Sequence, residues 1–233
     1  MSSLARRAAA EMLGTAFLVF FGCGSIIMTN FTDAHYGIFG IAMVHAFVLA
    51  LAISMTMGIS GGHVNPAVTI GLLCVKRIAP RDAFVYVVSQ LVGALVAALL
   101  VRYMLPWNVG RLVALGTPVL STNVSFWHGV GLEAIWTFLL MSGVMGTIIA
   151  SNAPRIGGFG VGLTLIPSIM IGGVLTGAAA NPARAFGPAI ISGNVTAQAV
   201  WWIGPILGAI IAALLWHHVL LKELPEEPLV PTK

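Results

Sequence analysis

Two Asn-Pro-Ala triplets, Asn65-Pro66-Ala67 and Asn181-Pro182-Ala183, are the residues of this sequence most suited to handling a polar solute. Asn is a favoured helix N-cap, and Pro fits the first helical turn, where its missing N–H would be unpaired anyway. Each triplet therefore starts a helix whose positive end carries an amide donor. The stretches before them, Ser60 to Val64 and Thr176 to Ala180, are rich in small residues. Extended chain there can turn carbonyl oxygens toward a narrow space, at Gly61, Gly62 and His63 in the first and at Ala179 and Ala180 in the second. A row of acceptors with two amide donors at its centre suits a single file of water.

Arg184, three residues after Asn181, is the only charged residue between 156 and 221. Desolvating it is costly unless it faces a cavity, where it would donate hydrogen bonds to solute and repel cations. Glu11 and Glu133 also interrupt apolar runs. They are either a proton relay or acceptors for the loop N–H groups, which need partners inside a bilayer; the needs of the loops favour the second reading. Cys23 and Cys74 lie in apolar runs and have no metal-ligand spacing, so both read as packing residues. No nucleophile with a base in reach stands within the apolar segments, which argues against an intramembrane enzyme. No cofactor or metal is expected.

The elements that position these residues follow from composition. Of 233 residues, 58% are hydrophobic and 8% charged. A soluble domain carries about 25% charged residues. Soluble enzymes, disordered tails and nucleic-acid binders are excluded, and the net charge of +4 is too small for a phosphate-binding patch. Residues 12–32, 34–75, 83–101, 134–154, 156–183 and 185–221 contain no Asp, Glu, Lys or Arg. A spanning helix needs about 20 residues. Six are predicted, at roughly 8–29, 38–59, 82–104, 128–150, 159–176 and 198–221. The leftover apolar pieces, 65–75 and 181–191, are too short to cross and can only dip into the bilayer.

Arg6, Arg7, Lys76, Arg77, Arg81, Arg155, Lys222 and Lys233 then fall on one side, which should be the cytoplasm and should hold both termini. The Asn-x-Ser/Thr triplets at Asn30, Asn123 and Asn194 fall on the other. The first segment contains Glu11, has no obvious small-residue cleavage site and is followed by five more spans, so it reads as a span rather than a signal peptide.

The chain repeats itself. Ala10-Glu11 to Thr15 parallels Leu132-Glu133 to Thr137, and Gly71 and Gly187 each stand six residues after the triplet Asn. The segment Gly93 to Leu100 matches Gly208 to Leu215 at six of eight positions. Each half holds three spans and one short piece. Three is odd, so the second half enters from the opposite face: an inverted repeat with its site near the midplane. The expected organisation is one channel domain over 1–233, with repeats at about 6–110 and 125–221 and a cytoplasmic tail at 222–233. Gly14, Gly93, Gly173 and Gly208 read as points of close helix packing.

Over about residues 6–221 the sequence resembles the aquaporins, the major intrinsic protein family. The resemblance is carried by Gly61-Gly62-His63-Val64-Asn65-Pro66-Ala67-Val68-Thr69 and by Asn181-Pro182-Ala183-Arg184-Ala185-Phe186-Gly187-Pro188. It implies an all-α membrane protein with six tilted helices, two re-entrant half-helices, one pore per subunit and a homotetramer in the bilayer. It also implies passive flow of water or small neutral solutes. By their spacing from the two motifs, His45, Ile169, Ala178 and Arg184 would form the outer filter. This set departs from strict water channels, which pair an aromatic at the first position with His at the second. It is closer to plant vacuolar-membrane members linked to ammonia and sometimes urea. Ala185 and Ala189 depart from the Asp and basic residue of glycerol members, and Trp201 and Trp202 resemble the aromatic pair of the water branch. The implied function is a water channel in the cell membrane that admits ammonia and excludes protons and ions. The alternatives are a glycerol or urea facilitator and a secondary transporter.

Overall fold

The computed structural model describes residues 3–31 and 33–221. The expected tail at 222–233 lies outside the described residues. Helices α1 (Leu4–Met28) and α2 (Gly37–Ser60) are followed by the half-helix α3 (Pro66–Cys74) and by α4 (Pro80–Met104). A short turn α5 (Trp107–Gly110) leads to α6 (Phe126–Val144), α7 (Gly158–Leu163) and α8 (Leu165–Gly172). The second half-helix, α9 (Pro182–Ser192), precedes α10 (Val200–Leu215). Among the described residues, five helices are long and apolar enough to cross a membrane; the helix pair at 158–172 is shorter.

The fifth crossing, expected as one helix over 159–176, is broken at Thr164 and ends at Gly172. Pro167 explains the break: it has no N–H to donate, and its ring crowds the carbonyl four residues back, that of Leu163. The ends of the fourth and sixth crossings also differ from regular helix, widening into π-turns at Met145–Ile149 and Trp216–Leu220.

In α4 and α10 the small residues face inward and many of the large ones outward. In α4, Gly93, Ala94, Ala97 and Ala98 face inward, and in α10, Gly204, Gly208, Ala209, Ala212 and Ala213 do so. Val96, Leu99, Leu207 and Ile211 point outward. Lipid supplies no hydrophobic drive between helices, so small residues gain by letting backbones approach. A Cβ on Gly93 would overlap the Met12 carbonyl of α1, and one on Gly208 the Ala134 carbonyl of α6. The half-helices use the same device across the repeats: Gly71 of α3 lies on the Ala209 carbonyl of α10, and Gly187 of α9 on that of Ala94 in α4. Each half-helix is thus seated on the last long helix of the other repeat. Gly173 lies against the Ile38 side chain, and Gly14 lies under the Val64 side chain and against Thr56 of α2.

Candidate functional site

Asn65 and Asn181 cap α3 and α9 as their residue types require. The Asn65 Oδ1 accepts from the Ala67 N–H at 2.8 Å, and the Asn181 Oδ1 from those of Ala183 and Arg184 at 3.0 and 3.3 Å. Each amide also donates across the repeat: Asn65 Nδ2 to the Ala180 carbonyl at 2.8 Å, and Asn181 Nδ2 to the Val64 carbonyl at 2.9 Å. Each Nδ2 carries two hydrogens, so a second one is left for solute. Pro66, Ala67, Pro182 and Ala183 are buried in the first turns and fix where the two helices begin.

The loops before the caps are strained. Val64 has φ 54°, and Ala178 and Ala180 have φ 43° and 47°. Such values are costly for residues with a Cβ, and for β-branched Val64 above all. Two fully buried carboxylates hold the loops in place. Glu11 accepts from the Ser60 hydroxyl at 2.6 Å and from the N–H groups of His63 and Val64 at 3.0 and 2.6 Å. Glu133 accepts from the Thr176 hydroxyl at 2.6 Å and from the N–H groups of Ala179 and Ala180 at 3.0 and 2.8 Å. Neither carboxylate is among the residues lining the lumen, and both have loop donors as partners, the arrangement of an acceptor rather than a relay. The loops are pinned once more at matching places: Tyr86 Oη donates to the Ser60 carbonyl, and Trp201 Nε1 to that of Thr176.

The two repeats differ behind the first loop. Gln90 Nε2 donates to Glu11 and to Thr69 Oγ1, and the His63 ring meets Thr69 at 3.1 Å. No motif marks Gln90 for this role, although it is the only Asn or Gln in the charge-free run 83–101.

Asn65, Asn181, His63, Ala178 and Ala179 border a lumen whose other wall is apolar, with Leu18, Leu49, Ile53 and Val68 among its residues. His45, Ile169 and Arg184 border the same lumen and also the vestibule at one end. Gly61 and Gly62 line the opposite vestibule, beside Arg7 and Arg77. The Ala180 carbonyl accepts from Asn65, and Ala180 is not among the lumen-lining residues. The vestibules measure about 430 and 530 Å³, and the lumen between them about 10 Å³. A single water needs about 10–15 Å³ of such space.

Arg184 is buried, and its Nη1 donates to the Gly116 carbonyl at 3.0 Å. The loop that brings this carbonyl in has three successive left-handed residues, Ala114, Leu115 and Gly116, at φ 45°, 55° and 78°. Thr117 Oγ1 donates to the Ala114 carbonyl at 2.6 Å and meets Ser192 Oγ at the end of α9 at 3.1 Å. Neither Gly116 nor this clamp was found from sequence, because no local motif marks a loop that closes over a distant side chain.

A family model for major intrinsic proteins matches residues 1–216. The chain belongs to that family, the aquaporins. It is 39% identical to aquaporin TIP4-1 of Arabidopsis thaliana, over 95% of this chain and 87% of that protein. It is 35% identical to aquaporin TIP4-4 of Zea mays (96% and 90%) and 34% identical to aquaporin AqpM of Methanothermobacter thermautotrophicus (94% and 99%). The X-ray structure of the aquaglyceroporin from Plasmodium falciparum superposes with a TM-score of 0.84 over 94% of this chain and 97% of that one; at 22% identity it speaks for the aquaporin fold alone. As an aquaporin, the chain is a multi-pass membrane protein of a channel family.

Proposed function

We propose that this aquaporin conducts water in single file, passes neutral ammonia more slowly, and excludes protons and ions. The observation that carries this reading is the lumen of about 10 Å³ between two wide vestibules, lined by both Asn65 and Asn181. Water crossing it would exchange hydrogen bonds with the two amides and the loop carbonyls while the apolar wall offers none. The half-helix starts put positive ends at Asn65 and Asn181, which disfavours a passing hydronium.

We assign the filter to His45, Ile169, Ala178 and Arg184. Arg184 would repel ammonium, while neutral ammonia carries no charge for it to repel. A glycerol or urea facilitator is the second reading; it rests on the apolar wall that Ile169 gives the filter, and the narrow lumen argues against it. Stopped-flow assays of reconstituted vesicles with water, ammonia, urea and glycerol separate the two. Water and ammonia flux with slow glycerol supports the first, and glycerol flux rivalling water the second.

The single channel domain is expected to assemble as a homotetramer in the bilayer, with both termini cytoplasmic and the cell membrane as its site. Cross-linking in vesicles and protease access from either side check assembly and orientation. Recovery in an internal membrane fraction would overturn the cell-membrane placement and favour a vacuolar one.

A further inference from the structure

The ring of His45 is fixed at one nitrogen and unpartnered at the other. Its Nδ1 lies 2.9 Å from the Ile41 carbonyl, one turn back on α2. A carbonyl only accepts, so Nδ1 carries the hydrogen, and in the neutral ring Nε2 holds a lone pair. That Nε2 is buried and has no protein partner. The edge of the ring lies against Gly22 of α1. A Cβ on Gly22 would stand 2.6 Å from Nε2, 2.9 Å from Cδ2 and 3.2 Å from Cε1, and these are its three nearest neighbours. The empty side of Gly22 is therefore occupied by the imidazole, not by a facing backbone as at Gly93 or Gly208.

We infer that Gly22 is a specificity-determining position of this channel, a positioning residue that sets the bore of the filter by giving the His45 ring room beside α1. The inference rests on His45 lining the filter, as proposed above. A methyl at position 22 cannot coexist with the ring where it now lies. The ring is tethered through Nδ1, and with α1 behind it the free direction is toward the lumen it shares with Ile169 and Arg184. Overpacking of this kind is relieved by moving the softer neighbour, here the side chain rather than two packed helices.

The test is a mutant cycle of Gly22→Ala and His45→Ala in reconstituted vesicles, read as water and urea flux per channel, with detergent size-exclusion profiles for each variant. His45→Ala alone should raise urea flux, because it widens the filter; an unchanged solute profile would overturn the filter assignment and the inference with it. Gly22→Ala should lower water flux by about fivefold, and adding His45→Ala should restore it to the His45→Ala level, a strongly non-additive cycle. If His45→Ala raises urea flux but Gly22→Ala conducts like the wild type, the inference fails and the filter assignment stands. A block that persists in the double variant also overturns it. If Gly22→Ala fails to fold and the double variant folds, the collision with the ring is supported; if neither folds, Gly22 serves helix packing and the inference is wrong.

Discussion

Asn65 and Ala180 are 115 residues apart in sequence, yet the amide of one donates to the carbonyl of the other at 2.8 Å, and the bond from Asn181 to Val64 mirrors it. The two half-helices are tied at their starts by the side chains that cap them. Cap, crosslink and free donor are thus one amide doing three jobs, and substitutions can separate them.

Asn181→Asp keeps the cap, since Asp is as good an N-cap, but removes the donor to Val64 and puts a negative charge at the centre of the lumen. Asn181→Ala removes cap and crosslink together and should cost about 1 kcal/mol for the cap and about 1 kcal/mol for the bond. The Asp variant is expected to leak cations or protons in a pH-jump assay of vesicles. The Ala variant is expected to show the larger loss in thermal unfolding.

Glu133 satisfies one hydroxyl and two N–H groups of a strained loop. Glu133→Ala orphans all three at about 1–3 kcal/mol each, enough to consume much of a domain's stability. The variant should fail to yield a monodisperse channel, with Glu133→Gln intermediate. A Glu133→Ala channel that unfolds at the wild-type temperature would show that the loop is held by other means.

Both repeats, their short helices, the two Asn and the two Glu were legible in the sequence, because each depends on a local signal: a cap, a proline, or a charge in an apolar run. The orientation of Glu11 and Glu133 followed from the need of loop N–H groups for acceptors. What was not legible is what distant segments bring. The break at Thr164 required weighing Pro167 against an otherwise helical run. The Gly116 carbonyl, the Thr117–Ser192 clamp and the bed of His45 on Gly22 each join segments far apart in sequence, and no spacing rule reaches across them.

Gly116→Ala should loosen Arg184. Position 116 is left-handed, at φ 78°, and a Cβ there would meet the Cys23 Cα at 2.9 Å. The loop must retreat and take its carbonyl from the guanidinium, a charge-assisted bond worth about 1.5–3 kcal/mol. Glycerol flux should rise several-fold relative to water. Ser192→Ala, which removes one side of the Thr117 clamp, should shift the same ratio in the same direction by less.

Mercurial block should be weak. Cys23 is buried behind the filter, 3.9 Å from the Gly116 carbonyl, and is not among the lumen-lining residues; Cys74 is exposed at the end of α3. Strong reversible inhibition that disappears in Cys23→Ser would show that the reagent reaches the space behind Arg184.

His45→Phe with Ile169→His should rebuild a strict water-type filter and cut ammonia flux more than water flux. An unchanged ammonia-to-water ratio would remove these two residues from the filter.

The most direct test of the channel itself is the rate and temperature dependence of osmotic shrinkage in vesicles holding the purified protein. Fast shrinkage that does not saturate, with an activation energy well below that of protein-free vesicles and no accompanying proton entry, is the expected result. Shrinkage no faster than in empty vesicles, or proton entry that tracks water entry, would contradict a proton-excluding water pore centred on Asn65 and Asn181.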